Sequence, residues 1–246
     1  MALEFIFDRK LQRYRYKDSG RFLGEQAVRN LTIKSIDQVS QDVGVISNLL
    51  LEGKITVGTW EEQTAIALKQ LHTQAYLLGK GGIKNMTQSD YGVIGSKLKK
   101  QYQYLRGFSD DLINKGMSEA QFKMRIQQYL EASKGTFEEA RARSHSNSGF
   151  KWEKRVRTKF NSCPPCISFE GLGWQPINTL PNTGEQCDCR ANCGCYKQFS
   201  LDDLRPTDFL ISKRFGWLLR SELNKELLEG ENNDDFQSST SKYNNS

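Results

Sequence analysis

Six cysteines occupy residues 163–195 of a 246-residue chain, and none lies elsewhere. They fall as Cys163-Pro-Pro-Cys166 and, after a loop rich in glycine and proline, as Cys187-Asp-Cys189-Arg-Ala-Asn-Cys193-Gly-Cys195. Thiolate is a soft ligand that zinc takes in closed tetrahedral sites, so two cysteine-rich turns brought together can supply four sulfurs without a large apolar core. Cys163 and Cys166 lie one tight turn apart and can face a single point. Cys187/Cys189 and Cys193/Cys195 are each two residues apart, which in extended chain puts both side chains on one side. The predicted metal ligands are therefore drawn from Cys163, Cys166, Cys187, Cys189, Cys193 and Cys195, and the predicted metal is Zn2+. A single zinc takes four of the six, namely Cys163 and Cys166 with two of the later group, Cys189 and Cys193 being the first choice. Pro165 has no N–H, so one backbone donor that would support the sulfur of Cys163 is missing.

Competing chemistries for the same residues are disulfides, an iron–sulfur centre and a redox dithiol. The opening Met1-Ala-Leu-Glu-Phe-Ile-Phe-Asp8 is unlike a secretory leader, which argues for a reducing compartment where clustered cysteines hold metal more often than they pair. A redox role for Cys163-Pro-Pro-Cys166 needs the first thiol at a helix start. Gly171, Gly173 and Pro176 follow so closely that a helix of useful length is not expected there.

The elements that must position these residues are mainly helical. Residues 10–24 alternate aromatic and basic side chains around Asp18-Ser19-Gly20, the pattern of a short hairpin or arm. From Glu25 to Glu52 the residues Ile36, Val39, Val43, Ile46 and Leu50 recur at helical spacing. Thr59-Trp-Glu-Glu62 reads as a capping box opening a second helix that Gly79, Gly81 and Gly82 end. Thr87-Gln-Ser-Asp90 and Ser118-Glu-Ala-Gln121 read as caps of a third and a fourth. His72 reads as a core or surface histidine. Ser144-His-Ser-Asn-Ser-Gly149 breaks the helical pattern, and Lys151 to Phe160 alternates as a strand leading into the first cysteine pair. Ser200 to Leu223 reads as a final helix. The expected fold is thus mainly α: an arm or hairpin over 1–24, a helical domain over 25–148, a small Cys-rich, zinc-stabilised α+β module with a C-terminal helix over 149–229, and a flexible tail over 230–246.

Composition bounds the function. Hydrophobic content of 37% and a mean hydropathy of −0.64 are lean, and no apolar run approaches the length of a membrane span, so no membrane partner is expected. The net charge of +6 permits contact with DNA or an acidic surface. Lys97, Lys99, Lys100 and Arg106 interleave with Tyr102 and Tyr104, and Arg155, Arg157 and Lys159 lie on the expected strand. Such residues serve either a nucleic-acid surface or an ordinary solvated face. His-x-Glu, His-Glu-x-x-His, phosphate-loop and Gly-x-Ser-x-Gly patterns are missing, so no enzyme is expected.

Several stretches carry a family likeness: Gly20-Arg-Phe22, Gly79 to Thr87, Gln101 to Phe108, Gly173 to Pro181 and, most specifically, Cys187 to Cys195. On these the chain resembles the minor head proteins of tailed bacteriophages, the head-morphogenesis proteins that accompany the portal, from about residue 13 to 228. Many relatives end the motif as His-Pro-x-Cys-x-Cys. Arg190 stands where that histidine would be, and the resemblance then implies an all-thiolate site. It further implies a structural virion component (minor capsid protein) in the head interior or at the portal vertex, present in host cytoplasm during assembly. Its partners would be the portal protein or major capsid protein, with oligomerisation around the portal and contact with packaged DNA as options. The alternative is a zinc-containing nucleic-acid-binding protein acting outside the virion.

Overall fold

The structure, a computed structural model, describes residues 5–8, 13–201, 209–212 and 216–219. It begins with three antiparallel strands in sequence order, β1 (Phe5–Asp8), β2 (Arg13–Tyr16) and β3 (Phe22–Leu23). The helices α1 (Glu25–Leu51), α2 (Val57–Lys80), α3 (Gln88–Asn114), α4 (Glu119–Glu131) and α5 (Ser133–Asn147) follow. Then come β4 (Trp152–Val156), α6 (Pro164–Gly171), β5 (Gln175–Pro176), β6 (Tyr196–Ser200) and the antiparallel pair β7 (Phe209–Ser212) and β8 (Gly216–Leu219). The molecule is mainly helical, with small sheets and a Cys-rich cluster in its C-terminal part, as the sequence leads one to expect. No helix among the described residues is long and apolar enough to cross a membrane.

The apolar residues that recur at helical spacing meet in one core. Ile36 and Val43 of α1, Trp60, Leu68 and Leu71 of α2, Leu105 and Phe108 of α3, and Phe122, Ile126 and Leu130 of α4 are buried together. At its centre Trp60 meets Phe108 edge-on at 5.3 Å, and its indole N–H donates to Ser47 Oγ at 3.1 Å, so neither the ring nor its polar edge is wasted in the interior. A second group, Tyr14 and Leu23 with Val28, Ala75, Leu78 and Phe137, seats the N-terminal sheet on α1, α2 and α5. The strand reading of residues 10–24 holds for β2 and β3.

The helix starts divide into two that follow the sequence reading and one that does not. Asp90 accepts from the Thr87 N–H at 2.8 Å, and Gln121 and Ser118 exchange the bonds of a capping box. The second helix, by contrast, starts earlier than Thr59. Thr56 is its cap and accepts from the Thr59 N–H at 3.1 Å, because the chain turns at Lys54-Ile55 and leaves Thr59 inside the first turn. Gly79 does not end that helix either. A Cβ there would stand 2.4 Å from the Phe137 carbonyl oxygen, so its bare backbone is what lets α2 and α5 touch. The stop is Gly81, in the left-handed conformation at φ 75°.

Two further expectations are corrected. The helical pattern does not break at Ser144: α5 continues to Asn147, with Ser144 and His145 buried. Its inward face is Phe137 and Ala140 mixed with Glu138, Arg141 and His145, so it shows no apolar stripe from which its course could be read. The final helix is not formed where it was expected. Residues 209–212 and 216–219 pair as antiparallel strands with Phe209 opposite Leu219 and Ile211 opposite Trp217, a short apolar run being compatible with either geometry. Phe215, Leu223 and the expected tail lie outside the described residues.

Candidate metal centre

The cysteines are gathered by a three-stranded antiparallel sheet, β5-β4-β6, with β4 in the middle. The alternation expected for Lys151 to Phe160 is realised over Trp152–Val156, but it points charged residues inward: Glu153 and Arg155 are buried. Glu153 accepts from the Leu180 N–H at 2.7 Å and from Lys197 Nζ at 3.1 Å, and Lys197 also donates to the Leu180 carbonyl at 2.7 Å. Arg155 donates to the Pro181 carbonyl. These charge-assisted bonds fix the loop that precedes the second cysteine group. Arg157 anchors α6 by pairing with Glu170, whose Oε1 also accepts the Arg157 backbone N–H at 3.0 Å. Thr158 donates to the Gly194 carbonyl at 2.9 Å, joining the end of the strand to the last cysteine pair.

Cys163 is the cap residue of α6 and Cys166 sits in its first turn, with Pro164 opening the helix at a position that needs no N–H. A helix does form after Cys163, although none of useful length was expected there. Gly171 lies at its end and Gly173 beyond it, so the glycines stop the helix after eight residues without preventing it. The donor lost at Pro165 is also made good: the backbone N–H groups of Cys166 and Cys189 both reach the Cys163 sulfur. In the second group the Cys187/Cys189 half is not extended chain. Cys187 and Cys189 lie on a turn that runs into a 3-10 turn at Arg190–Asn192, with Gln186 and Arg190 at positive φ of 51° and 45°. Cys193 leaves this turn in extended conformation and leads through Gly194 to Cys195 and β6.

All six sulfurs are brought together and all six are free thiols. The Sγ atoms of Cys163, Cys166, Cys187 and Cys189 lie within 4.8 Å of one another, and those of Cys166, Cys193 and Cys195 form an overlapping group by the same measure. The sulfurs that lie mutually close to Cys163 and Cys166 are thus those of Cys187 and Cys189, in place of the first choice of Cys189 with Cys193. The turn at 190–192 separates Cys193 from Cys189 and delivers it to the other side of Cys166, 3.7 Å from its sulfur. Phe169, Leu172 and Leu180 complete the surrounding apolar shell.

The sulfurs hold their protons unevenly. A hydrogen bond from Cys195, outweighing burial and joined by backbone donors, lowers the Cys193 thiol to about 4. Burial acts against ionisation of Cys163, yet hydrogen bonds from Cys189 and from two backbone N–H groups bring it down to about 7. Burial pushes Cys187 up to about 11, and it pushes Cys166 up further. Thiolates stabilised beside buried thiols are what a soft cation needs to displace the remaining protons.

Both histidines lie away from this cluster. His72 is buried against Thr136, 2.7 Å from its Nδ1, and burial followed by the charge of Lys97 lowers it to about 4. His145 donates from Nδ1 to the Arg141 carbonyl at 2.8 Å and stacks on Phe199 of β6 with ring centres 4.3 Å apart. Burial, then the charge of Arg141, brings it to about 3.

A joint that the sequence reading did not identify fastens the module to the helices. Glu138 of α5 pairs with Arg29 at 3.3 Å and with Arg141 at 2.9 Å, and accepts the Lys197 N–H at 3.4 Å. The same arginines reach the Lys197 carbonyl, and Arg29 lies 3.5 Å over the Tyr196 ring. The one sequence signal for it is a Glu138/Arg141 pair at helical spacing in a helix with little apolar character.

Among the basic residues, Arg155 and Arg157 are committed to Pro181 and Glu170, and Lys97 pairs with Glu139. Tyr104 is exposed on α3 and not in the core. A cleft of about 1640 Å³ between α3, α4 and the cysteine loop is lined by Lys97, Lys100, Arg125 and Arg190, but also by Asp111 and Asp188. The chain matches no family model, no curated protein and no solved structure.

Proposed function

We propose that the chain is a non-enzymatic minor head protein of a tailed phage, associated with the portal, and that its sulfur cluster holds zinc as a structural clasp. The observation that carries the structural part is the closed character of the site. Sulfurs packed among Phe169, Leu172 and Leu180 can saturate an ion, and the module they close is bolted to the helices through Glu138. Such a centre holds a shape and leaves no coordination position for a substrate. The likeness of Cys187 to Cys195 and of the other quoted stretches to head-morphogenesis proteins supports the setting: a head-interior or portal-vertex site, with the portal or major capsid protein as partner. Mass spectrometry of purified virions should find the protein at low copy number. Its presence in the lysate together with absence from virions overturns the reading.

A zinc-containing nucleic-acid-binding protein is the second reading, and the cleft beside Lys100 and Arg190 is what favours it. Lys97 and Arg125 contribute less, being paired with Glu139 and Asp111. Binding to duplex DNA should then weaken with salt, and Lys100→Glu and Arg190→Glu should each flatten the logarithmic salt slope by about one unit. A slope indifferent to both removes this reading.

A further inference from the structure

We propose that the cluster is built for two divalent ions and not one, with the thiolates of Cys166 and Cys187 shared between them. This rests on the metal-holding reading above and deepens it.

The sulfur count sets the problem. A tetrahedral ion takes four thiolates, and Cys163, Cys166, Cys187 and Cys189 are the mutually close four. Cys193 and Cys195 are then surplus, yet they are not turned away to solvent. Both are buried, and with Cys166 they form a second compact group. Cys166 therefore belongs to both groups, is fully buried, and sits in the first turn of α6 where its sulfur is held between them. Its separation from Cys193 Sγ is 3.7 Å. Two sulfurs bound to one tetrahedral ion at the usual zinc–sulfur distance stand about 3.8 Å apart, so this pair already has the spacing of co-ligands.

The second ion needs a fourth sulfur, and Cys187 supplies it. It shares the first group with Cys166, and Cys193 lies near enough for its charge to help burial raise the Cys187 thiol. The assignment that follows is symmetrical. Cys163 and Cys189 are terminal on the first ion, at the half-buried side of the cluster, and Cys193 and Cys195 are terminal on the second, on the buried side. Cys166 and Cys187 lie between. Each ion then has four sulfurs from six residues.

Charge permits the same count: six thiolates with two dications leave about minus two, no more than one dication with four thiolates and two neutral thiols would bury. Loading is balanced as six thiols and two dications giving a six-thiolate, two-ion centre with release of six protons.

The test uses the full chain, reduced and loaded with Zn2+ alone or Co2+ alone, then freed of excess ion. Elemental analysis should give about two ions per chain, with no thiol open to an alkylating reagent under native conditions. In the Co2+ form the magnetic moment per ion should fall as the second equivalent binds, since thiolate-bridged neighbours couple and isolated ions do not. Cys195→Ser should lower the content to about one ion per chain. One ion in the unaltered chain with two alkylatable thiols overturns the shared centre and leaves the single-ion clasp standing. A full helical spectrum with no ion bound overturns both.

Discussion

The helical body and the cysteine module solve the same problem with different materials. In the body, Trp60, Phe108 and Phe122 pack with centroids 5.3 to 5.5 Å apart, and the interior is apolar surface withdrawn from water. In the module the buried cluster is mostly sulfur: Cys166, Cys187, Cys193 and Cys195 with Phe169, Leu172 and Leu180. Its strands are two to five residues long and its helix eight, too little chain to bury a self-sufficient core. On the proposed reading, coordination replaces hydrophobic burial there. The difference then teaches where each region will fail: the body by cavities and overpacking, the module by loss of its metal.

The largest effect should come from the metal. Stripping it with a strong chelator under reducing conditions removes on the order of 10 kcal/mol of binding free energy from the module. Proteolysis should then open between Arg157 and Lys197 while the far-ultraviolet helical signal persists. Simultaneous loss of both signals would mean that the two regions do not differ as described. Next in size, Trp60→Ala should cost the body about 4 kcal/mol in denaturant unfolding and leave the metal content unchanged. Glu138→Ala strikes the joint, leaving Arg29 and Arg141 without their carboxylate, and should cost about 3 kcal/mol. Unlike the other two it should loosen both regions, seen as faster amide exchange in β6 and α5 alike.

Acid probes the body more gently. His72 is buried neutral with its pKa lowered to about 4, so it contributes stability above its unfolded value of 6.5 that is lost as pH falls towards 4. Its share should amount to about 2 kcal/mol by pH 5, measured as a fall in the unfolding midpoint that His72→Gln abolishes. The smallest effect is Ser118→Ala, which removes the α4 cap and should cost about 1 kcal/mol without touching the module.

What could be read in advance follows the same division. Ile36, Val43, Leu68 and Leu105 advertise helices because their burial repeats with the helical period, and Thr87/Asp90 and Ser118/Gln121 mark starts through local bonds. The gathering of six cysteines was equally visible, since metal ligands must be clustered. Their grouping was not. Whether Cys187 or Cys193 joins Cys163 and Cys166 depends on the turn at Arg190–Asn192, where Arg190 takes a left-handed conformation that its residue type does not announce. Nor was the role of β4 readable, because alternation told which residues share a face but not that Glu153 and Arg155 face inward and pair with a distant lysine and carbonyl. The strands at 209–212 and 216–219 show the limit of periodicity in a short apolar run.

The placement of Lys197 and Phe199 just beyond Cys195 has a chronological consequence. A ribosome releases α1 to α5 in full before the last thiol emerges, so the helices can settle first. On the proposed metal-holding reading, metal capture then draws Cys195 into place and, a few residues on, sets Lys197 against Glu138 and Phe199 against His145. Metallation would be the closing step of maturation, and a cell short of the metal would accumulate a finished body with an undocked cysteine module.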